Sequence, residues 1–187
     1  MIIGNCAPQG GSTPGEIGAA TDAALSDFEF TEVILMFGFS RWVENCMAAA
    51  QIRGLAALDI LVLHAVNHRA RGRRLSDIAM VLNIDQTHLI AYALKKLAAA
   101  GFVQVQRIGR ERHYEASPAG DAACFAYREV RAKHLAATLS WMANPDGELN
   151  RCTTFLRAMT ALYDQASRFA TAEAQGQPRP PPVRTKT

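Results

Sequence analysis

The sequence has few aromatic residues, and it lacks the signatures of several common protein classes. Aromatic side chains make up only 7% of the 187 residues, whereas alanine is abundant. This balance favours helices over a β-sandwich or a β-barrel. No apolar run approaches the roughly 20 residues that a membrane-spanning helix needs, and the first residues lack the basic and apolar segments of a secretion signal. We therefore expect a cytoplasmic protein.

The four cysteines show no CxxC spacing and lie far apart in the chain. The sequence therefore gives no indication of a disulfide framework or a zinc ribbon. It also contains no P-loop, no GxGxxG, no GxSxG and no HExxH string, which argues against the enzyme classes that these motifs mark. We expect no enzyme activity, no cofactor and no metal.

Charge is unevenly distributed along the chain, although the net formal charge is only +3. Residues 1–32 contain five acidic side chains and no lysine or arginine. Residues 64–114 contain nine basic and three acidic side chains, a balance typical of a surface that faces phosphates. Arginines that only keep a helical protein in solution would give the same count, so charge alone leaves both interpretations open.

The composition of the two ends predicts three regions. Residues 1–20 contain five Gly and two Pro, and we interpret them as a flexible lead. Residues 174–187 are Pro-rich, polar and basic, and we interpret them as a disordered tail. Between the two, residues 21–173 are expected to form a single domain with a central lobe at about residues 55–120.

Apolar periodicity predicts three helices in the first half of this domain. A long helix covers residues 27–51, with Gly38 as a point of interruption. A second, strongly apolar helix covers residues 55–67. A short third helix covers residues 75–82, with Ser76 or a nearby polar residue as its cap.

The sharpest pattern lies at residues 85–100. Asp85 is a suitable N-cap, and four apolar residues follow at i, i+3, i+4 and i+7, which predicts one buried helical face. These residues are Ile90, Ala93, Leu94 and Leu97. After Gly101 two segments alternate with period two around Gly109 and Arg110, which predicts a β-hairpin.

Two further helices are predicted after the hairpin. One begins at Pro118 and runs to about residue 142, and a turn at residues 144–147 ends it. The last covers about residues 148–174 and carries an apolar stripe. The stripe consists of Leu149, Cys152, Phe155, Leu156, Met159, Leu162, Tyr163, Ala166 and Phe169.

The order helix, short helix, turn, helix, hairpin is that of a winged helix-turn-helix. The predicted fold class is mainly α, with a three-helix core and a two-stranded β-wing flanked by long N- and C-terminal dimerisation helices. In this fold one helix enters the DNA major groove and the wing follows the backbone. The candidate DNA-binding residues lie on the polar face of the 85–100 helix and on the wing. They are Gln86, Thr87, His88, Ala91, Tyr92, Lys95, Arg107, Arg110 and Arg112.

The segments LAALDILVLHAV, LSDIAMVLNI and DQTHLIAYALKKLAAAGFV, with SPAG after the wing, resemble the winged-helix segment of MarR-type transcription regulators. The resemblance covers about residues 41–121, although the wing is short and its tip lacks the acidic-x-Arg triplet common in that family. It implies a homodimer that binds a pseudo-palindromic operator in double-stranded DNA. A winged-helix adaptor that binds protein without DNA is the alternative function.

The resemblance also implies a small aromatic effector that binds near the dimerisation helices. The candidate effector or interface residues are Trp42, Cys46, Met47 and Trp141. Interface core is the alternative interpretation of these side chains, and Cys46 is either a redox-sensing thiol or a buried, inert one. His64 and His68 have metal-ligand spacing, but we interpret them as packing and capping residues because no nearby ligand completes a site.

Overall fold

A computed structural model describes residues 18–68 and 72–176 of the chain. The helices before the hairpin are α1 (Ala19–Ala49), α2 (Ala57–Asn67), α3 (Leu75–Leu82) and α4 (Thr87–Ala99). The strands β1 (Val103–Ile108) and β2 (Glu111–Ala116) pair antiparallel. They are followed by α5 (Pro118–His134), a 3-10 helix (Ala136–Trp141) and α6 (Pro145–Gly176). The predicted fold class, a mainly helical winged helix-turn-helix, is confirmed.

The chain falls into two compact units, with the boundary between Lys133 and His134. The hydrophobic core lies in the first unit, where the apolar faces of α2, α3 and α4 meet the end of α1, the start of β1 and α5. Within α4 the four residues predicted to be buried are at most 1% exposed. The apolar stripe of that helix is therefore confirmed.

Helix α1 is continuous from Ala19 to Ala49, so the predicted interruption at Gly38 is wrong. A lone glycine costs a helix only about 1 kcal/mol relative to alanine, and the helical bonding on both sides of Gly38 outweighs this cost. The helix also starts earlier than predicted and includes the last residues of the expected flexible lead. Residues 174–176 of the expected tail form the end of α6, so the tail starts later than predicted. Residues 1–17 and 177–187 lie outside the described residues.

Helices α2 and α3 are capped at their N-termini in the same way, by an aspartate of the first turn. Asp59 accepts a hydrogen bond from the Ala56 backbone N–H at 2.8 Å, and Asp77 accepts one from the Arg74 N–H at 3.2 Å. A carboxylate in the first turn satisfies a free N–H and interacts favourably with the helix dipole. The helix starts one residue before Ser76, so Ser76 is not its cap, and the nearby polar residue Asp77 provides the capping hydrogen bond instead.

The start of α5 fits tightly against the end of α4. The Ser117 hydroxyl donates a hydrogen bond to the Gly101 carbonyl at 2.5 Å and accepts one from the Gly120 N–H at 3.1 Å. A Cβ at Gly120 would lie 2.1 Å from the Phe102 carbonyl oxygen, so only glycine fits there. The SPAG sequence thereby fixes where α5 leaves the wing.

The second unit contains the 3-10 helix and α6. The helix predicted from Pro118 to about residue 142 ends at His134 and is followed by the 3-10 turn. Helix α6 starts at Pro145, three residues earlier than predicted, because proline suits the first helical turn. The Asn144 side chain there accepts a hydrogen bond from the Gly147 N–H at 3.1 Å. Among the described residues, no helix combines the length and the apolarity that crossing a membrane requires.

Candidate nucleic-acid interface

Helix α4 presents a continuous exposed face opposite its buried stripe. Thr87, His88, Ala91, Tyr92 and Lys95 are all exposed, and Tyr92 retains 71% of its accessible surface. His88, Ala91, Tyr92 and Lys95 fall at i, i+3, i+4 and i+7, so they lie close together on one side of the helix, and Thr87 precedes them at its first turn. The face combines hydrogen-bonding groups, one positive charge and a small residue that permits close approach.

The turn that leads into α4 determines where this face begins. Asn83 has φ 52, a left-handed conformation that asparagine tolerates well, and the Ile84 N–H donates to the Ala79 carbonyl at 3.0 Å. The N-cap of α4 is Gln86, without a side-chain capping bond. The expected N-cap at Asp85 is therefore wrong by one residue, and Gln86 lies at the exposed start of the helix.

The hairpin places two arginines opposite each other. Arg107 on β1 pairs with Arg112 on β2 in the antiparallel register, so both side chains leave the same face of the wing. Gly109, with φ 64, forms the turn with Arg110. Arg107, Arg110 and Arg112 are all exposed. The end of the wing is therefore strongly basic.

The carboxylates of the wing lie on its other face and have partners within the lobe. Glu115 accepts hydrogen bonds from the Gly72 N–H at 2.9 Å and from the Gln106 side chain at 3.0 Å. Glu111 forms an ion pair with Arg74 at 3.4 Å. Because strand residues alternate between faces, this arrangement separates the acidic side chains from the arginine pair.

Two of the basic residues counted in the sequence serve internal contacts. Arg73 extends the sheet through backbone hydrogen bonds of 3.0 and 2.8 Å with Tyr114. Arg74 pairs with Asp77 at 3.3 Å as well as with Glu111, and its hydrogen bonds hold the pKa of Asp77 below the usual value. Arg69 and Arg71 lie outside the described residues. The charge of Arg74 is therefore partly balanced by two carboxylates within the lobe, whereas the backbone bonds of Arg73 leave its guanidinium charge unchanged.

Neighbouring lysines on α4 have different surroundings. Lys95 is exposed, whereas the Lys96 ammonium lies 2.5 Å from a carboxylate oxygen of Asp59 on α2. Asp59 is only 4% exposed. Sequence reasoning did not identify this pair, although an aspartate within a strongly apolar helix is a signal that a partner is needed.

The candidate effector residues are distributed over both units. Cys46 and Met47 are 0% and 1% exposed and belong to the core of the first unit, against which Trp42 packs. Burial raises the pKa of the Cys46 thiol, with a smaller opposing effect of Arg131, which favours the buried, inert interpretation. Trp141 belongs to the second unit and is 79% exposed.

The two histidines of α2 have separate roles. The His64 ring packs edge-on against Tyr127 with centroids 4.5 Å apart. Burial lowers the pKa of His64, and the positive charges of Arg128 and Arg131 lower it further. His68 follows the last residue of α2 and its N–H donates to the His64 carbonyl at 3.0 Å. In the described ranges, no group of three or more His, Cys, Asp or Glu side chains could hold a metal ion.

Comparison with known protein families agrees with this arrangement. Residues 55–120 match the family described as the winged helix DNA-binding domain. This range begins just before α2 and ends in the first turn of α5, so it contains α4 and the wing. No curated protein sequence matches the chain.

Solved structures show the wider fold. A MarR family transcription regulator superposes with a TM-score of 0.63 at 18% identity, covering 80% of this chain and 95% of its own. CouR from Rhodococcus jostii RHA1, bound to p-coumaroyl-CoA, superposes with a TM-score of 0.57 at 19% identity. The match covers 71% of this chain and 90% of CouR. Reduced AbfR bound to DNA superposes with a TM-score of 0.54 at 17% identity, and the match covers 73% of this chain and 98% of AbfR. The likeness to MarR-type proteins is thus confirmed at the level of the fold.

Proposed function

Because the chain is a winged-helix protein with the fold of MarR-type regulators, we propose that it is a sequence-specific, DNA-binding transcription regulator of the cytoplasm. The observation that carries this proposal is the exposed polar face of α4 beside a wing whose basic and acidic side chains occupy opposite faces. AbfR, a protein of the same fold, is bound to DNA, which supports the same mode of binding here. No catalytic role is proposed.

In this proposal α4 reads base edges in the major groove. Gln86, Thr87 and His88 at its start, and Tyr92 one turn further on, offer donors, acceptors and an aromatic edge for base contacts. Ala91 allows the helix to approach the groove floor, and Lys95 adds a charge at its side. The polar variety of this face is what sequence-specific readout requires.

The wing is proposed to hold the phosphate backbone or the narrow minor groove. Like charges directly opposite each other on two strands are destabilising, so the Arg107–Arg112 pair weakens the hairpin unless an anion lies between or beside them. Arg110 at the turn extends the positive surface. These three arginines would add affinity for every DNA sequence.

We further propose that the regulator is a homodimer. The middle of α1 exposes Phe30, Ile34 and Phe37 by 67%, 56% and 56%, and α6 exposes an apolar stripe of its own. Apolar surface of this extent is typical of an interaction site. A twofold dimer would present two α4 helices to half-sites about 10 base pairs apart, so the operator would be pseudo-palindromic.

Selection of bound duplexes from a random DNA pool tests function and specificity together. The selected and a random duplex are then titrated over a salt series, where a DNA-binding protein gives a steep log–log slope. A slope near zero on both duplexes contradicts the proposal and favours the protein-binding adaptor. Enrichment without a repeated half-site contradicts the dimer alone.

Substitutions then distinguish residues that contact base edges from residues that contact the phosphate backbone. Thr87→Ala, His88→Ala and Tyr92→Ala should each cost about 1–3 kcal/mol on the selected duplex and much less on the random one. Arg110→Ala and Arg112→Ala should weaken both equally and flatten the salt slope by about one unit for each phosphate that is no longer bound. Equal reductions in affinity on both duplexes for the α4 variants would show that this face does not read bases.

A small aromatic effector is a separate proposal. It is supported by the CouR structure, in which a protein of this fold binds p-coumaroyl-CoA, and by Trp42 at the edge of the core of the first unit. A panel of aromatic acids, tested for release of the selected duplex, examines this proposal. Retention of DNA affinity across the panel would contradict it.

A further inference from the structure

We propose that Lys96 is a positioning residue that fixes the orientation of α4 through Asp59 and does not contact DNA. The inference rests on the proposed function, since the orientation of α4 matters only if its exposed face reads bases. It gives Lys96 a role distinct from that of its neighbour Lys95. Lys95 is left as the phosphate or base contact of this part of the helix.

The Asp59 carboxylate connects two elements. Its Oδ2 atom lies 2.5 Å from the Lys96 Nζ and accepts the Ala56 backbone N–H at 2.8 Å. The Asp59 side chain is 6% exposed and that of Lys96 is 35% exposed. A charge removed from water to this degree needs its partner. Lys96 therefore cannot leave Asp59 for a phosphate without stranding a buried carboxylate.

The position of the pair along α4 explains its effect on readout. Lys96 lies eight residues beyond His88, a distance of about 12 Å along the helix axis. A tilt of about 10° around the Lys96 end would move the His88 end by about 2 Å, more than the range of hydrogen-bond lengths allows. Base contacts at the start of α4 thus depend on how firmly its far end is held.

The apolar stripe of α4 attaches the helix to the core through the close packing of Ile90, Ala93, Leu94 and Leu97. This burial includes no hydrogen bond or charge that defines a direction. The ion pair has a defined direction, and its acceptor is tied to the backbone at the start of α2. Removal of the pair should therefore lower the protein's ability to discriminate between DNA sequences, and it should have a smaller effect on its affinity for random DNA.

The test compares Lys96→Met, Lys96→Arg and the matched control Lys95→Met on the selected and the random duplex over a salt series. Lys96→Met should lower the ratio of the two affinities at least tenfold and leave the salt slope on random DNA unchanged. Lys96→Arg, which keeps the charge, should restore the ratio to within threefold of wild type. Lys95→Met should weaken both duplexes and flatten the slope by about 0.9.

Circular dichroism and thermal melting first establish that each variant is folded. If the Lys96→Met variant is unfolded, Asp59→Asn takes its place with the same expected results. The asparagine amide oxygen can still accept the hydrogen bond from the Ala56 N–H. The proposal is overturned if the variant flattens the random-DNA slope by one unit, which identifies a phosphate contact, or if ratio and slope both equal those of wild type.

Failure of the proposed function has a different signature. If wild type shows no steep salt slope on either duplex, DNA binding fails and the role of Lys96 in readout fails with it. The ion pair is then still examined by ¹⁵N NMR of the lysine ammonium groups. Slow proton exchange at Lys96 compared with Lys95 supports the pair, and equal exchange at both contradicts it.

Discussion

The two compact units differ in how they treat their apolar side chains. In the described part of the chain, every buried apolar side chain belongs to residues 18–133. Residues 134–176 contain none, although Phe155, Leu162 and Phe169 of α6 are 52%, 57% and 66% exposed. The same apolar periodicity thus gives a buried face in α4 and an uncovered one in α6. Periodicity predicts that a face will be covered, but it does not identify what covers it.

This difference has a thermodynamic consequence. In the first unit, burial of a shared core offsets the entropy cost of ordering the backbone. Isolated helices gain too little from their own hydrogen bonds to be stable in water. The second unit therefore needs a partner surface, which the proposed homodimer would supply. The following predictions test whether the two units are stabilised independently and by different means.

The largest effect is expected in the core of the first unit. Leu94→Ala removes a side chain that is 1% exposed and should lower the free energy of unfolding by about 2–5 kcal/mol. Leu162→Ala in α6 is the matched control and should act mainly on self-association. Chemical denaturation at several protein concentrations separates the two. A concentration-dependent destabilisation by Leu94→Ala would remove the distinction between the units.

Alanine substitutions at two glycines should change the stability of the protein in opposite directions. Gly120→Ala places a methyl group against the Phe102 carbonyl and should destabilise the protein by about 1–3 kcal/mol. Gly38→Ala meets nothing within 4 Å and should stabilise α1 by up to about 1 kcal/mol through helix propensity. Thermal melting measures both. Stabilisation by Gly120→Ala would show that the contact between α5 and the end of α4 is looser than the structure indicates.

The first unit should also lose stability in mild acid through His64. Its pKa is lowered by burial and by Arg128 and Arg131, so below its ordinary value of about 6.5 the unfolded chain takes up the proton more readily. Stability is therefore full above about pH 6.5 and declines as the pH falls. His64→Gln should reduce this decline, as measured by urea denaturation across the mildly acidic to neutral range. An unchanged pH dependence would exclude His64 as its source.

The smallest expected effect is kinetic and compares cysteines of the two units. Cys46 and Cys124 are buried, and burial raises the pKa of Cys124 to about 11, so both should react slowly with a thiol reagent at any protein concentration. Cys152 is exposed and should react faster, with a rate that falls as the proposed dimer forms. Peptide mapping after timed labelling measures each site. Rapid labelling of Cys46 would restore the redox interpretation.

Local patterns predicted the elements of this fold better than the contacts between them. The buried stripe of α4 and the strand at Glu111–Ala116 follow from spacing within a few residues. The N-cap of α4 differs by one residue because backbone geometry around Asn83 decides it. The pairing of Arg74 with Glu111 and that of Lys96 with Asp59 could not be predicted, since the partners lie 37 residues apart in each case. The outer face of α4 was proposed as a site from position alone, and its role stays a prediction.

The backbone bridge between Arg73 and Tyr114 protects one side of the wing from unwanted strand pairing. Arg73 pairs with Tyr114 on the side of β2 that faces away from β1, whereas within the described residues no strand pairs with the outer side of β1. Open edges invite pairing with other extended chains unless charges prevent it. Val105 and Ile108 are exposed there by 46% and 58%, with Arg107 between them. We therefore expect the arginines proposed to bind phosphate also to keep copies of the wing from pairing edge to edge, and salt that screens their charge should promote precipitation.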